Sequence, residues 1–475
     1  MSQQQPPLGS RFTHLFAFSG LSNLADGLLL VGIPLFALTL TTSPGQIALI
    51  TTVFTLPWLL FGIVAGVVID RHDRVRVLVA ASVARIAALT AGVVAAVNDS
   101  LTMPILLGLL AVLGTAEVFA DGASSALIPD VTPRERLAAA NSRLMGVQLV
   151  ANSFLGAPIA GFLVAAGAGW VLGVPAGLVV AGVLVAVRGL GRKARTAVAD
   201  QQASSPPGPS PAEGSVPGAA ERAVEPVRSV RRDLREGLGF LFRHRVVRPL
   251  VLGGAGFNFL SNAYMAVLVV WVVGPQSAVG VTPEQYGLLA TVLAIGGVTG
   301  AILAEKIVGR GRERAVIAVT WSVAGGLLVV PPLLPEVWAV AASFMLIGFF
   351  NIVGNTATTA LRQRIVPSRV LGRVQGASAT IAYGAMPLGA LTGGIVAEAF
   401  GVRALLVMVP IAALVVVALT VRSLTQSVID EADRTAAPSD DDDEPTGAAS
   451  LEGADGPGVP SSDEAHVTPA PTPIG

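Results

Sequence analysis

The sequence predicts an all-α membrane protein with twelve transmembrane helices in two six-helix parallel repeats. Two features of the composition lead to this fold class: 52% of the 475 residues are hydrophobic, and the mean hydropathy is +0.69. The third observation is that charged residues make up only 13% of the chain. Because this composition lies outside the range of soluble proteins, we expect a multi-pass protein of the cell (plasma) membrane, in contact with membrane lipid.

Twelve apolar runs are long enough to cross a hydrocarbon core, which takes about 20 residues of helix. The first six lie near residues 16–40, 46–69, 77–97, 103–128, 139–165 and 168–188. The other six lie near residues 249–273, 284–308, 314–334, 337–361, 374–398 and 403–423. The first run is too long for a signal-peptide core and has no convincing cleavage site, so we expect it to remain as the first span.

Lysine and arginine residues predict the orientation of the spans, because basic loops are retained on the cytoplasmic side during insertion. Alternate loops are rich in them. The residues are Arg71, Arg74, Arg76, Arg134, Arg136, Lys306, Arg310, Arg312, Arg314, Arg362, Arg364 and Arg369. The intervening loops, such as residues 41–46 and 274–284, contain no Lys or Arg, and Arg403 is the exception. We therefore expect both termini to be cytoplasmic.

The chain divides into six segments by composition and hydropathy. They are a cytoplasmic N-terminus (1–11), a first six-helix bundle (12–188), a disordered cytoplasmic linker (189–229), an amphipathic inner-leaflet helix (230–248), a second six-helix bundle (249–423) and a disordered acidic cytoplasmic tail (424–475). The linker is rich in Pro, Ser and Gly and cannot bury enough apolar area to become ordered. The amphipathic segment could instead be an extension of the seventh span.

An internal duplication supports the two repeats. The stretch from Ala126 to Ser142 has a counterpart from Ala360 to Gly376, in which Pro133 aligns with Pro367 at a displacement of 234 residues. The tripeptide LSN also occurs in both the first and the seventh span. Two six-helix halves of equal orientation are typical of transporters that bind substrate near the membrane midplane.

Pairs of polar residues four positions apart occur inside the first, fourth, seventh and tenth spans, and the fifth span also has Gln148 and Asn152 at this spacing. The pairs in the first four of these spans are Ser22 and Asp26, Glu117 and Asp121, Asn258 and Asn262, and Asn351 and Asn355. Residues at this spacing share one face of a helix. Because polar and ionised groups are costly in hydrocarbon, we expect these faces to line an internal cavity. The alternatives are interhelical hydrogen bonding by the amides and structural ion pairing by the carboxylates.

The loop after the second span resembles a known family signature. The pattern G-x-x-x-D-R-x-G-R-[RK] is matched at Gly66, Asp70, Arg71 and Arg74, with Asp73 and Val75 as departures. The stretch FADGASSALIPDVTPRERLAAANS, which begins at residue 119, is similar to the same branch. Over residues 12–423 the sequence resembles the major facilitator superfamily, and within it the enterobactin-exporter-like and macrolide-efflux-like carriers.

The resemblance implies a cytoplasmic gate between the two halves. Gly66, Asp70, Arg71 and Arg74 belong to this gate, and Arg373 is the predicted partner of Asp70 across the interface. An ion pair that breaks as the halves rock would act as a latch. The alternative is that the charge cluster only determines topology.

The resemblance also implies a helix-packing motif in the fifth span. LGAPIAGF retains part of the antiporter motif G-P-x-x-G-G, at Gly156, Pro158 and Gly161. Small residues allow helices to approach closely. The partial match favours efflux.

These observations predict a secondary active transporter that exports a small amphipathic molecule, such as a drug, a macrolide or a siderophore-like compound, by proton-coupled alternating access. The proton-coupling candidates are Asp26, Glu117 and Asp121. The substrate-cavity candidates are Ser22, Asn23, Trp58, Gln148, Asn152, Phe257, Asn258, Asn262, Asn351, Asn355 and Tyr383. Alternatives are proton-symport uptake of a small metabolite and a membrane sensor or scaffold that does not transport.

Other classes of function lack support in the sequence. The chain contains no cysteine, and its four histidines lack metal-ligand spacing. No catalytic triad or phosphate-binding loop is present. We therefore expect a small-molecule substrate and protons as partners, a monomer, and no enzyme activity, metal, cofactor or nucleic acid.

Overall fold

The computed structural model describes residues 8–190, 235–309 and 311–436. Twelve helices in this part of the chain are long and apolar enough to cross a membrane, as predicted. The predicted linker lies almost entirely outside the described residues, as do residues 437–475 of the predicted tail and residues 1–7 of the predicted N-terminus.

The helices are numbered α1 to α12 in chain order. The first six are α1 (Gly9–Ala37), α2 (Pro44–Arg71), α3 (Arg74–Val97), α4 (Met103–Val131), α5 (Arg134–Ala166) and α6 (Ala168–Leu190). The second six are α7 (Val247–Val272), α8 (Pro283–Ile307), α9 (Glu313–Leu333), α10 (Val337–Ile365), α11 (Ser368–Phe400) and α12 (Val402–Ser423). Several helices extend beyond their apolar runs, because polar first and last turns continue the helix toward the headgroups and hydropathy does not detect them.

The two halves repeat the same packing. In the first half α1 packs on α5 and α6, α2 packs on α4, and α3 packs on α4 and α6. In the second half α7 packs on α11 and α12, α8 packs on α10, and α9 packs on α10 and α12. Each of these five contacts of the first half has a counterpart six helices later, which is the parallel repeat that the sequence predicted.

The halves meet through α2 with α11 and α5 with α8. We call the end of the bundle that carries Arg71, Arg134 and Arg364 the basic face, and the other end the opposite face. Close contacts lie near the opposite face, where a Cβ added to Gly161 or Gly287 would overlap backbone of the other half.

Glycines of the same helices near the basic face have open space around them. A Cβ added to Gly66, Gly146, Gly372 or Gly376 would have no neighbouring heavy atom within 4 Å. The two halves therefore separate toward the basic face and close at the opposite face.

Two short helices pack against the second half at the basic face. Residues 235–243, within the predicted amphipathic segment, form a helix whose Leu241 is fully buried beside Val374 and Ala377 of α11. Its apolar side thus contacts protein. The helix ends before α7 begins, so it is not a continuous extension of the seventh span.

A further helix, α13 (Gln426–Ala436), follows α12. Ile429 is buried in a cluster with Leu361 and Ile365 of α10. Asp433 accepts a hydrogen bond from Nε of Arg364 at 2.9 Å. The prediction of disorder from residue 424 onward is therefore wrong for these eleven residues, because helically spaced apolar residues and an ion pair tie them to the bundle.

Candidate functional site

Three helices of the first half bring ionisable side chains together at mid-depth. Glu117 is the central residue of α4, Arg85 lies at the middle of α3, and Asp26 lies close to the middle of α1. Asp26 and Arg85 are 7% and 1% exposed, so neither side chain points toward lipid. The first half therefore contains an ion cluster, which we define as Asp26, Arg85, Glu117 and Asp121.

Arg85 is the organising cation of the ion cluster. Its Nη2 forms an ion pair with Oδ1 of Asp26, and its Nη1 donates a hydrogen bond to Oγ of Ser22 at 2.8 Å. The pairing of Ser22 and Asp26 on one face of α1 therefore has a structural reason, because both side chains bind the same guanidinium. A buried charge needs such partners to offset its desolvation.

Glu117 and Asp121 form the less compensated part of the ion cluster. Both interact electrostatically with Arg85 and with Asp26, but neither side chain forms an ion pair or a hydrogen bond with a described residue. Both are only partly buried. Glu117 and Asp121 thus lie beside Arg85, but the direct ion pair of Arg85 is with Asp26.

Sequence reasoning did not identify Arg85. The available signal was a single arginine in the middle of the apolar run 77–97, where a charge costs a few kcal/mol unless it is compensated. Spacing alone could not reveal its partner, because Asp26 is 59 residues away in the chain.

The second half contains a polar cavity of about 290 Å³ among α7, α9, α10 and α11. Its polar lining residues are Asn258, Ser261, Asn351, Asn355, Thr358, Arg362 and Ser378. Asn258 donates a hydrogen bond to the carbonyl oxygen of Ala382 at 3.4 Å. Asn262 donates to the carbonyl oxygen of Asn258 at 2.9 Å, so its amide is used within α7 rather than in the cavity.

Two aromatic pairs are stacked, one in the polar cavity and one between the two halves. The rings of Phe257 and Trp321 are 5.9 Å apart, and both residues line the polar cavity of the second half. The rings of Trp58 on α2 and Tyr383 on α11 are 6.0 Å apart and join the two halves. The structure thus gives these candidates an aromatic contact, with Tyr383 still 51% exposed.

The remaining cavity candidates lie on α1 and α5. Asn23 is partly buried and donates a hydrogen bond to the carbonyl oxygen of Ser19 at 2.8 Å. Gln148 is exposed, and Asn152 lies in a π-helical segment, Val150–Gly156, whose backbone packs on Gly27. Such segments are frequent at functional sites.

The predicted gate is open in this structure. Asp70 and Arg71 are exposed, and Asp70 and Arg373, both described, form no ion pair with each other. Arg373 pairs instead with Glu236 at 2.9 Å. The predicted pairing is absent here because the halves are apart at the basic face.

Arg74 binds the last turns of α4. It donates hydrogen bonds to the carbonyl oxygen of Ala126 at 3.0 Å and to Asp130 at 2.7 Å. This contact is of the kind expected for an arginine at a helix C-terminus.

The predicted packing motif on α5 lies at close helix contacts. A Cβ at Gly156 would meet Gly27 of α1, and one at Gly161 would meet Pro283 and Glu284 of α8. Pro158, between them, lies beside Gly287.

A second contact near the opposite face involves a carboxylate that sequence reasoning did not single out. Glu398 at the end of α11 accepts hydrogen bonds from Oγ of Ser43 at 2.8 Å and from the backbone N–H of Gly45 at 3.0 Å. The carboxylate thus caps the first turn of α2, where backbone N–H groups lack partners.

Comparison with known sequences identifies the family. Residues 15–274 match the sequence model of the Major Facilitator Superfamily, which covers more than half of the chain. The chain belongs to the major facilitator superfamily. Residues 217–459 also match a superfamily model described as transmembrane secretion effector. The predicted resemblance is thereby confirmed.

Curated relatives align over most of the chain. An uncharacterised MFS-type transporter of Sinorhizobium fredii is 27% identical, over 79% of this chain and 86% of that protein. Macrolide efflux protein A of Streptococcus pyogenes is 22% identical, over 83% of this chain and 91% of that protein. The multidrug efflux pump Tap of Mycobacterium bovis is 25% identical, over 93% and 98% of the two chains.

Solved structures show the same fold. The nucleoside transporter NupG matches with a TM-score of 0.58 at 13% identity, over 87% of this chain and 98% of that chain. A bacterial homologue of the human lysosomal transporter Spinster, inward-facing and unoccupied, matches with a TM-score of 0.54 at 17% identity, over 90% and 99%. This major facilitator chain is therefore a multi-pass membrane transporter, and the family gives no indication of catalysis.

Proposed function

We propose that the protein is a proton-coupled exporter of a small amphipathic molecule, with its basic face and both termini in the cytoplasm. The observation that carries this proposal is the ion cluster at mid-depth of the first half. Its three carboxylates surround a single arginine, so two negative charges stay uncompensated when all four groups are ionised. Because burial disfavours the charged form of an acid, protons are the natural partners of Glu117 and Asp121.

The open and closed faces supply the second part of the proposal. Basic loops are retained in the cytoplasm, so the cavity that opens at the basic face would be reached from the cytoplasm. Substrate would enter there, and rocking of the halves would break the contacts of α2 with α11 and α5 with α8 and open the other face.

The direction and the substrate class rest on the names of two relatives and on the side chains beside the amides. Two relatives are named as a macrolide efflux protein and a multidrug efflux pump. Aromatic pairs and aliphatic side chains beside amides suit a molecule that has an apolar body and a few polar groups. Proton-symport uptake uses the same cluster, and it is the second outcome that the following experiment distinguishes.

Everted membrane vesicles with an acidic lumen test the proposal. Export predicts that an amphipathic probe, either ethidium or 11-(dansylamino)undecanoic acid, accumulates in the lumen and leaves again when a protonophore collapses the gradient. In Glu117→Gln we expect the accumulation to fall at least about tenfold, since a titrating group is removed. Glu305→Gln, which changes an exposed carboxylate near the end of α8, should behave as wild type.

Two results would contradict the proposal. One is full accumulation, with unaltered pH dependence, in the Glu117→Gln variant. The other is accumulation only when the proton gradient is reversed, which would indicate symport.

A further inference from the structure

The internal repeat places amides where the first half has acids. The displacement of 234 residues that aligns Pro133 with Pro367 also aligns Glu117 with Asn351 and Asp121 with Asn355. Both asparagines line the polar cavity, and neither side chain forms a hydrogen bond with a described residue. At the positions where the first half can bind protons, the second half therefore has neutral groups that do not titrate.

The face of α10 that carries the two asparagines also carries a positively charged side chain, that of Arg362, in its last turn. Asn351, Asn355, Thr358 and Arg362 follow one another at helical spacing, and all four line the cavity. The Nε atom of Arg362 is buried and has no hydrogen-bond partner among the described residues, and no described Asp or Glu lines the cavity. Within the described part of the chain, Arg362 thus brings a positive charge to a cavity without an acidic side chain to neutralise it.

A neighbouring arginine on α10 has a structural role and provides a comparison for Arg362. Arg364, two residues further on α10, forms ion pairs with Glu313 of α9 and with Asp433 of α13. These pairs fully account for its charge, whereas Arg362 has no acidic partner among the described residues. Arg362 lies in the last turn of α10 and lines the cavity, and a guanidinium that faces a cavity without an acidic partner points to an anionic ligand.

We propose that the polar cavity of the second half binds a carboxylate of the transported molecule through Arg362, with the amides of Asn351 and Asn355 as additional donors. This inference rests on the proposed transport function and specifies its substrate as an amphipathic organic acid. A guanidinium recognises a carboxylate by two parallel hydrogen bonds. The stacked rings of Phe257 and Trp321 line the same cavity and would contact the apolar body of the acid.

A matched pair of fluorescent probes tests the assignment on the purified full-length protein in lipid nanodiscs. The acid probe is 11-(dansylamino)undecanoic acid, and the control probe is its primary amide, which differs only in the charged group. Binding is measured as energy transfer from tryptophan to dansyl. Trp321→Phe should reduce the signal at saturation, because this tryptophan lines the cavity.

We expect the wild-type protein to bind the acid at least about tenfold more tightly than the amide, the preference that a charge-assisted hydrogen bond gives. Arg362→Gln should reduce that preference to less than about threefold, and Arg362→Lys should retain part of it. Arg422→Gln, at an exposed arginine in the last turn of α12, should leave it unchanged.

The inference is overturned if the wild-type protein binds neither probe, if it binds both equally, or if Arg362→Gln keeps the preference. Should Arg362→Gln fail to fold, the lysine variant decides, because an unaltered affinity for the acid in the absence of the guanidinium fork would also overturn it. The measurement uses no proton gradient, so its failure leaves the Glu117 experiment intact.

Discussion

The two halves of the molecule share one helix arrangement but differ in the chemistry of their interiors. In the first half, Arg85 is neutralised by Asp26 and surrounded by two further acids. In the second half, amides occupy the corresponding positions on α10, and no acid of the described residues lines the cavity beside Arg362. Under the two proposals above, one repeated backbone divides two tasks, because the titrating groups of the first half bind protons and the fixed donors of the second half bind the substrate.

The two interiors differ in how their charges are compensated, which matters because the interior of a membrane protein solvates ions poorly. The ion cluster contains three carboxyl groups, each of which can bind or release a proton and so change the net charge of the cluster. The polar cavity contains one sign, so its charge is constant until an external anion arrives. Coupling between the halves would follow if proton binding and substrate binding favour different arrangements of the same two bodies.

The largest expected effect comes from removing the cation of the first half. Arg85→Leu leaves Asp26 buried without its partner, and breaking a buried ion pair costs about 3–5 kcal/mol. We expect a large fall in thermal stability in detergent together with loss of transport. The double variant Arg85→Leu/Asp26→Asn removes both charges and should recover much of the stability.

Arg76→Leu is the matched control, because Arg76 is exposed at the start of α3. The proposed stabilising role of Arg85 is contradicted if Arg85→Leu has the same thermal stability as Arg76→Leu.

A smaller effect should distinguish the amides from the acids. Asn351→Ala and Asn355→Ala each remove a donor from the polar cavity without removing a titrating group. We expect the KM for an acidic substrate to rise several-fold, about what one hydrogen bond contributes, while the pH dependence of transport stays as in wild type. Transport assays over a range of pH measure both quantities. A shifted pH profile in either variant would contradict the separation of tasks.

The smallest effect concerns the contact that joins the halves at the opposite face. Glu398→Gln weakens the capping of α2, and because the carboxylate is exposed, we expect only a modest shift toward the conformation open at that face. The chain has no cysteine, so spin labels can be placed at Gln46→Cys and Ala399→Cys without prior substitutions. Distance distributions that are identical with and without Glu398→Gln would show that this contact does not influence the equilibrium between the conformations closed and open at the opposite face.

The sequence allowed the fold to be predicted, because span length, basic loops and the 234-residue displacement are all local or periodic signals. It also indicated that Asp26 and Glu117 lie inside the bundle, since an acid in lipid is too costly. Their partner Arg85 and the contact of Glu398 with α2 could not be predicted in this way. Both depend on helices brought together by packing, and Glu398 is 353 residues from Gly45.

The helix α13 shows a second kind of limit. The sequence after residue 424 is polar and contains an acidic run at residues 439–445, which indicates disorder. Its first turns nevertheless bury Ile429 and pair Asp433 with Arg364. A short amphipathic helix at the edge of an acidic tail is not evident from average composition.

The central claim is that the ion cluster of the first half exchanges protons and the cavity of the second half does not. An infrared pH titration of the purified protein, which needs no substrate, tests this most directly by following the absorption of protonated carboxylic acids. We predict a protonation step in the wild type that is lost or displaced in Glu117→Gln and retained in Asn351→Ala. The claim is contradicted if the titration of Glu117→Gln is the same as that of the wild type.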